Sequence, residues 1–206
     1  MVAIAVFHSV LGVRQGIRDA ADHLRDAGHD VTVVDQYEGR SFDDYGSAQA
    51  FASDIGFPAL MQRALTGVSH LPDGFALLGF SNGGGMATFV ATRRRVRGAV
   101  LCSGALPLHM IDVDRWPDGV PVQLHYAVDD PFKTAGSVES VMASVNAAGA
   151  PAEYFQYPGS GHLFTDVEMP GEFDPDATAH FWTHVDRFMS SSDAPVHSTD
   201  GGKARD

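Results

Sequence analysis

The chain has 206 residues, 44% of them hydrophobic and 19% charged, a balance typical of one soluble globular domain. Its formal net charge of -12 leaves no basic excess to displace counterions from a phosphate backbone, so we expect no nucleic-acid partner. The apolar start, "MVAIAVFHSVLG", has no charged leading segment and is too short to cross a bilayer, so we expect neither a signal peptide nor a membrane partner.

Short apolar runs, typical of buried strands, alternate with helix-period patterns along the chain. In chain order, we predict strands at 2–7, 29–37, 73–80, 96–105, 120–128 and 151–159. The helices are predicted at 17–26, at 47–65 with a break near 56–58, at 82–95, at 134–148 and at 176–189. Beyond these elements the chain is rich in small polar residues, so we divide it into a domain at 1–189 and a disordered tail at 190–206.

Alternation of strands and helices predicts a single α/β domain of three layers, with a doubly wound, mainly parallel sheet between helices. In such sheets, ligands bind in loops at the carboxyl ends of the strands. The loops that follow Phe7, Phe80, Val128 and Tyr157 are therefore the candidate places for chemistry.

Residues 79–83, "GFSNG", match the G-x-S-x-G pattern of a nucleophile elbow. A strand that turns abruptly into a helix needs small residues on either side of the central serine, and it would present Ser81 at the helix N-terminus. A phosphate-binding loop is disfavoured, because Gly83–Gly85 lead into Met86 without the further glycine or lysine that such loops carry. A plain structural turn is the remaining interpretation.

A serine hydroxyl is a weak nucleophile unless a base lies within hydrogen-bond distance and an acid orients that base. In hydrolases that use this elbow, the chain order is serine, acid, histidine. Asp129 and Asp130 follow the strand predicted at 120–128, and His162 follows the last predicted strand. The sequence therefore offers partners for Ser81 in the required order, with two candidate acids.

The other histidines fit a catalytic base less well. His109 precedes the candidate acids, and His125 falls within or at the end of a predicted strand. His180 and His184 share a helix face at a zinc-binding spacing, but the sequence offers no obvious third ligand. His8, at the end of the first strand, fits a structural role better than a place at the mouth of the site.

Four segments together resemble the dienelactone hydrolase family of small α/β-hydrolases over residues 2–188: "HSVLG", "GFSNGG", "HYAVDDPF" and "YPGSGHLF". The resemblance implies an α/β-hydrolase fold, with Ser81 as nucleophile and His162 as base. It favours Asp130 over Asp129 as the acid, because family members carry the aspartate directly before a Pro-Phe-like pair.

The resemblance also implies an oxyanion hole formed by the backbone N–H groups of Asn82 and Val10. Three positions depart from the family pattern. Ser81 stands where the type enzymes have cysteine, Ser9 stands where they have a glutamate that interacts with the thiol, and Asp166 stands where an arginine binds the carboxylate of the lactone. Dienelactone itself is therefore not the expected substrate.

From these residues we expect a serine hydrolase that cleaves a small ester, lactone or thioester without a metal or cofactor. The alternative is a catalytically silent protein of the same fold that binds a small ligand. Asp129 and Asp166 predict a neutral or cationic acyl group, and the loops at 36–58 and 106–117 are expected to shape specificity. The lone Cys102, in the apolar run "GAVLCSG", predicts a buried thiol and a cytoplasmic protein. The sequence leaves the oligomeric state open.

Overall fold

Buried apolar strands form the centre of the molecule in the computed structural model, which describes residues 1–191. The strands are β1 (Ala3–Phe7), β2 (Asp30–Val34), β3 (Phe75–Phe80), β4 (Val96–Cys102), β5 (Val122–Ala127) and β6 (Ala152–Tyr157). The α-helices are α1 (Gln15–Asp26), α2 (Tyr45–Ile55), α3 (Phe57–Gly67), α4 (Asn82–Ala91), α5 (Ser137–Ala147) and α6 (Pro175–Ser190). A short 3-10 helix spans Leu108–Ile111.

The six strands form one sheet in the order β2-β1-β3-β4-β5-β6, and every neighbouring pair is parallel. The central strand β3 is buried at every position, which explains why it is a continuous apolar run. The strand β5 is also buried throughout, although it carries Gln123 and His125. Parallel pairing places the carboxyl ends of all six strands at one edge, where the loops that carry the candidate residues meet. The predicted doubly wound, three-layer α/β-hydrolase architecture is confirmed.

Alternate side chains of the strands pack against helices on opposite faces of the sheet. On one face, Val6 and Leu78 join a cluster with Leu24 of α1 and Phe181 of α6. On the other face, Leu77 joins a larger cluster to which α3, α4 and α5 contribute. The helical break predicted near 56–58 is found at Gly56, whose φ of 85° ends α2 and whose next residues begin α3.

Several elements are shorter than the sequence predicts, and side-chain hydrogen bonds form just beyond their ends. The strand predicted at 29–37 ends at Val34, since the Asp35 carboxylate accepts the N–H groups of Tyr37 and Gly39 in a turn. The helix predicted to residue 95 ends at Ala91, and the Arg94 guanidinium donates to two carbonyls beyond α3. Such side-chain bonds are invisible to hydrophobic periodicity.

The tail predicted at 190–206 lies outside the described residues, apart from Ser190, which closes α6, and Ser191. Among residues 1–191, no helix is both long enough and apolar enough to cross a bilayer. Cys102 is buried at the end of β4, and burial raises the pKa of its thiol, as expected for an unreactive cysteine.

Candidate active site

Ser81 lies at a one-residue turn between β3 and α4. Its backbone has φ 53° and ψ -118°, a left-handed conformation that side chains rarely adopt. Its N–H donates to the carbonyl of Cys102 at 2.7 Å, and its own carbonyl accepts the N–H of Gly84 at 2.8 Å. These bonds hold the strained residue at the N-terminus of α4, in the strand-turn-helix context that the motif predicts.

Glycines two residues before and two residues after Ser81 allow the neighbouring backbone to pass close to the turn. A Cβ on Gly79 would overlap the carbonyl of Gly83. A Cβ on Gly83 would overlap the carbonyl of Phe7 and lie 2.6 Å from that of His8. The small residues of the motif are therefore required by contact of α4 with β3 and with the loop after β1.

Replacing Gly83 with alanine is expected to lower the free energy of unfolding by about 3 kcal/mol, because the new methyl group meets backbone atoms that cannot rotate away. Urea denaturation followed by circular dichroism measures this change. Gly171→Ala is the matched control, because its Cβ would have no neighbour within 4 Å. Equal unfolding midpoints for the two variants would show that α4 can shift without cost.

Ser81, His162 and Asp130 meet in one hydrogen-bond chain, although they come from three separate loops. Ser81 Oγ lies 2.7 Å from His162 Nε2, and His162 Nδ1 lies 2.9 Å from each carboxylate oxygen of Asp130. Because a carboxylate only accepts, Nδ1 carries the proton, and Nε2 has a lone pair that accepts the Ser81 hydroxyl. This is the arrangement that activation of a serine by a general base requires.

The two adjacent aspartates have different environments. The Asp130 side chain is fully buried, and besides His162 its carboxylate accepts the N–H of Phe132 at 2.8 Å. Asp129 is exposed, and its backbone N–H donates to the carbonyl of Gly159. The carboxylate that contacts His162 is thus that of Asp130.

Two aromatic side chains flank His162. The ring of Phe132 lies 4.6 Å from the imidazole, and that of Tyr45 lies 5.0 Å from Phe132. The Tyr45 hydroxyl donates to the Glu172 carboxylate at 2.9 Å, and this carboxylate also accepts the N–H of Leu163 at 2.6 Å. Burial and the nearby Glu172 charge raise the pKa of Tyr45, so it stays a neutral donor. The bridge ties α2 to the residue that follows His162.

A second set of contacts ties the loop after β1 to the loop after His162; we call Arg14, Asp43, Asp166 and Glu168 the Arg14 cluster. The Arg14 side chain is 6% exposed. Its Nε donates to Asp166 at 3.1 Å, its Nη1 to Asp43 at 2.8 Å, and its Nη2 to the carbonyl of Glu168 at 3.1 Å. Opposite charges and several bonds from one guanidinium make this a rigid connection.

Candidate oxyanion donors lie beside Ser81. Asn82 is the first residue of α4, where backbone N–H groups have no intrahelical acceptor. Val10 lies in the loop after β1, and both residues line the same cavity as Ser81. Within residues 1–191, neither N–H donates to a protein acceptor. Both groups are therefore free to bind an oxygen atom in the cavity.

The cavity has a volume of about 720 Å³ and opens between the strand ends and the helices α2 and α3. Apolar side chains of Phe57, Leu60 and Phe132 form much of its wall. Apart from His162, none of the described residues that line it carries a carboxylate, ammonium, guanidinium or imidazole group. Two buried polar atoms of lining residues, Asn82 Nδ2 and Ser103 Oγ, have no partner in the described chain.

The two acidic residues on which the expected neutral or cationic acyl group was based do not lie in the cavity wall. Asp166 is bound to Arg14 and Asp129 faces solvent, and neither lines the cavity. Of the two predicted specificity loops, the one at 36–58 contributes to the wall through α2 and the start of α3. The loop at 106–117 contributes no lining residue, because it folds into a 3-10 helix and buries Trp116.

The other histidines among residues 1–191 lie outside the cavity. His8 is fully buried and so is not at the mouth of the site. His125 is buried against α6, where its Nδ1 lies 2.8 Å from the Tyr157 hydroxyl, and burial lowers its pKa to about 3. His184 stacks on Phe155 at 3.9 Å, a packing role that differs from the metal-ligand alternative.

Tyr45, Phe132 and Glu172 are the site residues that the sequence analysis did not assign. No motif marks Tyr45 or Glu172, because their proximity to His162 depends on how α2 packs against the loop between β6 and α6. The Pro-Phe pair after Asp130 is the one signal that could have identified Phe132.

Several solved structures have a fold similar to that of this chain. Solved structures similar to this chain include a dienelactone hydrolase-like promiscuous phosphotriesterase, P91, from metagenomic libraries (20% identity, 92% of this chain and 86% of that chain, TM-score 0.76). A dienelactone hydrolase from Anabaena variabilis (20%, 89% and 86%, 0.62) and esterase PE8 (15%, 89% and 91%, 0.59) are also similar. No curated protein sequence matches.

A family model also matches the chain, over nearly its whole length. The model of the dienelactone hydrolase family matches residues 1–192, which includes every residue of the hydrogen-bond chain and the cavity. The protein therefore belongs to the dienelactone hydrolase family of α/β-hydrolases.

Proposed function

We propose that the protein is a serine hydrolase that cleaves a small uncharged ester, lactone or thioester through an acyl-enzyme on Ser81. The observation that carries this proposal is the continuous hydrogen-bond chain from Ser81 Oγ through His162 to the Asp130 carboxylate. Family membership supports a hydrolase, and the absence of charged groups among the described lining residues supports an uncharged substrate.

In the first half-reaction, Ser81 Oγ attacks the acyl carbon while its proton passes to His162 Nε2. The negative charge that develops on the carbonyl oxygen is stabilised by the N–H groups of Val10 and Asn82. The bond to the leaving group then breaks, and His162 returns the proton to the departing alcohol or thiol. Asp130 orients the imidazole and stabilises its positive charge throughout.

In the second half-reaction, water takes the place of the leaving group. His162 accepts one proton from the water, whose oxygen attacks the acyl carbon of the ester on Ser81. Collapse of the second tetrahedral intermediate breaks the bond to Oγ, and His162 returns the proton to Ser81. The carboxylic acid leaves, and these steps need no redox partner.

The cavity indicates the size and polarity of the acyl or alcohol group of the substrate. Its apolar wall suits a short aliphatic or aromatic group, and its volume of about 720 Å³ allows a substrate well above the size of acetate. The unpaired Asn82 Nδ2 and Ser103 Oγ favour a substrate with an additional oxygen atom, since unpaired buried polar atoms cost free energy.

Active-site labelling tests the proposal directly. A fluorophosphonate is expected to add once to the folded wild-type protein, on Ser81 by peptide mass spectrometry, because His162 activates this serine above all others. Ser160→Ala, which alters an exposed serine near His162, is expected to label at the wild-type rate. Labelling of another residue, or none, would contradict the proposal.

A second measurement separates the proposed hydrolase from the silent binding protein. Wild-type protein is assayed against esters, lactones and thioesters of graded acyl size. Turnover of any of them by an enzyme that labels at Ser81 supports the hydrolase. A saturable thermal shift without turnover on the whole panel would favour the binding protein.

The compartment proposed for this hydrolase is the cytoplasm. The support is the single cysteine of the chain, which is buried and unpaired at the end of β4.

A further inference from the structure

His8 is a fully buried histidine that lies next to the proposed oxyanion hole without entering the cavity. Its Nδ1 lies 2.6 Å from the carbonyl oxygen of Ser9, and its Nε2 lies 3.1 Å from the backbone nitrogen of Gln36. A carbonyl only accepts and a backbone N–H only donates. Nδ1 therefore carries the proton, and Nε2 accepts with its lone pair.

The carbonyl that His8 holds belongs to the peptide whose N–H is the Val10 donor. Peptide groups are planar, and the described chain contains no cis peptide bond, so the C=O of Ser9 and the N–H of Val10 point in opposite directions. Ser9 O accepts two hydrogen bonds, from His8 Nδ1 and from the N–H of Gly12 at 3.1 Å. These two bonds hold the Ser9 carbonyl on the side of the peptide that faces His8. The N–H of Val10 is therefore directed to the other side, toward the cavity that Val10 lines.

We propose that His8 is a positioning residue for the hydrolysis, which fixes the orientation of the Ser9–Val10 peptide so that its N–H meets the developing oxyanion. This inference rests on the proposed function of the site. Rotation of the peptide would turn the Ser9 carbonyl toward the oxyanion and would remove one of the two donors. Because Val10 N–H has no acceptor within the described chain, its orientation depends on what holds the carbonyl.

Two further contacts and a general property of the amide group fit this role. The carbonyls of Phe7 and His8 lie against Gly83 of α4, so the loop is held at a fixed distance from Ser81. Hydrogen bonds to an amide oxygen polarise the amide and make its N–H a stronger donor. The Tyr37 ring packs edge-on against the imidazole at 4.7 Å and limits its rotation.

The charges around His8 leave it neutral. Burial lowers the pKa of the imidazole and outweighs the opposite influence of the Ser9 carbonyl and of Asp35, whose carboxylate lies 4.0 Å from Nε2. The neutral form is the one that the geometry demands, because a protonated Nε2 could not accept the N–H of Gln36.

Two amide substitutions at position 8 separate the donor function of Nδ1 from the acceptor function of Nε2. The Asn amide nitrogen can occupy the place of Nδ1, so His8→Asn keeps a donor to Ser9 O and loses the acceptor for Gln36. The Gln amide oxygen can occupy the place of Nε2, so His8→Gln keeps the acceptor and loses the donor. His125→Gln is the matched control, because it alters another fully buried histidine whose ring packs on α6.

The expected result for His8→Gln is a kcat about 10- to 100-fold lower with little change in KM, because loss of an oxyanion donor weakens binding of the transition state alone. His8→Asn is expected to retain kcat within about threefold, since one hydrogen bond to Ser9 O is restored. His125→Gln lowers the melting temperature and leaves kcat unchanged. Equal kcat values for His8→Gln and His8→Asn would overturn the proposal.

A measurement on the wild-type protein does not depend on whether the variants fold. The ¹⁵N NMR chemical shifts of the His8 ring are expected to show a protonated Nδ1 and an unprotonated Nε2. The opposite tautomer would overturn the proposal. Failure of the proposed function is separable, because it would appear as turnover that survives Ser81→Ala or as no turnover on the whole substrate panel. Failure of the inference alone leaves Ser81-dependent turnover that His8→Gln does not slow.

Discussion

Replacing Ser81 with alanine is expected to lower kcat for short p-nitrophenyl esters by at least about 10,000-fold, because removal of a serine nucleophile eliminates the acyl-enzyme route. The residual rate would come from binding and from the free N–H groups of Val10 and Asn82. The expected KM changes little, since the Ser81 hydroxyl contributes one small polar contact to a large cavity. Steady-state kinetics and loss of fluorophosphonate labelling measure the two effects.

The folded state of the variant has to be unaltered for this result to be interpreted. Ser81 has φ 53°, and alanine has the same Cβ as serine, so the strain of the turn is unchanged and the melting temperature should stay close to that of wild type. Ser160→Ala again serves as the control, with expected wild-type kcat. Ser81→Ala protein that still turns over these esters at the wild-type rate would exclude Ser81 as nucleophile.

Replacing Asp130 with asparagine is expected to lower kcat by about 1,000- to 10,000-fold, because an amide facing Nδ1 favours the wrong tautomer of His162. In the native site, both carboxylate oxygens lie 2.9 Å from Nδ1 and hold its proton there. An asparagine N–H would compete to donate to Nδ1, which would move the histidine proton to Nε2. His162 could then no longer accept the proton of Ser81.

Asp129→Asn is the matched comparison, since it makes the same chemical change one residue earlier. Asp129 is exposed and lies outside the cavity, so its kcat is expected to stay within about twofold of wild type. The ratio of the two kcat values identifies the acid of the site. Equal losses in both variants would point to a general disturbance of the loop after β5.

Much of the fold could be predicted because parallel sheets leave a strong pattern. Strands buried on both faces are short apolar runs, and β1 and β3 have this pattern. The elbow could be predicted because its geometry requires small residues at Gly79 and Gly83, where added side chains would overlap backbone. Sequence patterns that follow from direct steric requirements therefore predicted these strands and this turn.

The wall of the cavity could not be predicted in the same way. Tyr45 reaches the site because α2 packs beside the loop of His162, and this contact spans 127 residues between Tyr45 and Glu172. Asp166 follows His162 closely in sequence, yet its side chain turns away to bind Arg14. Neighbourhood in sequence gave the wrong environment for Asp166, because the direction of a side chain depends on partners elsewhere in the chain.

The Arg14 cluster has a consequence for how the site is assembled during folding. Arg14 and Asp166 are separated by 152 residues, so their contact closes a loop that contains nearly the whole domain. Contacts of such sequence separation form late, since the chain must first lose the entropy of closing that loop. A nascent chain that ends before Asp166 has Asp43 as a partner for Arg14 but lacks the contact that ties the loop after β1 to the loop after His162. The connection between these two loops therefore forms only after the segment beyond β6 has been synthesised.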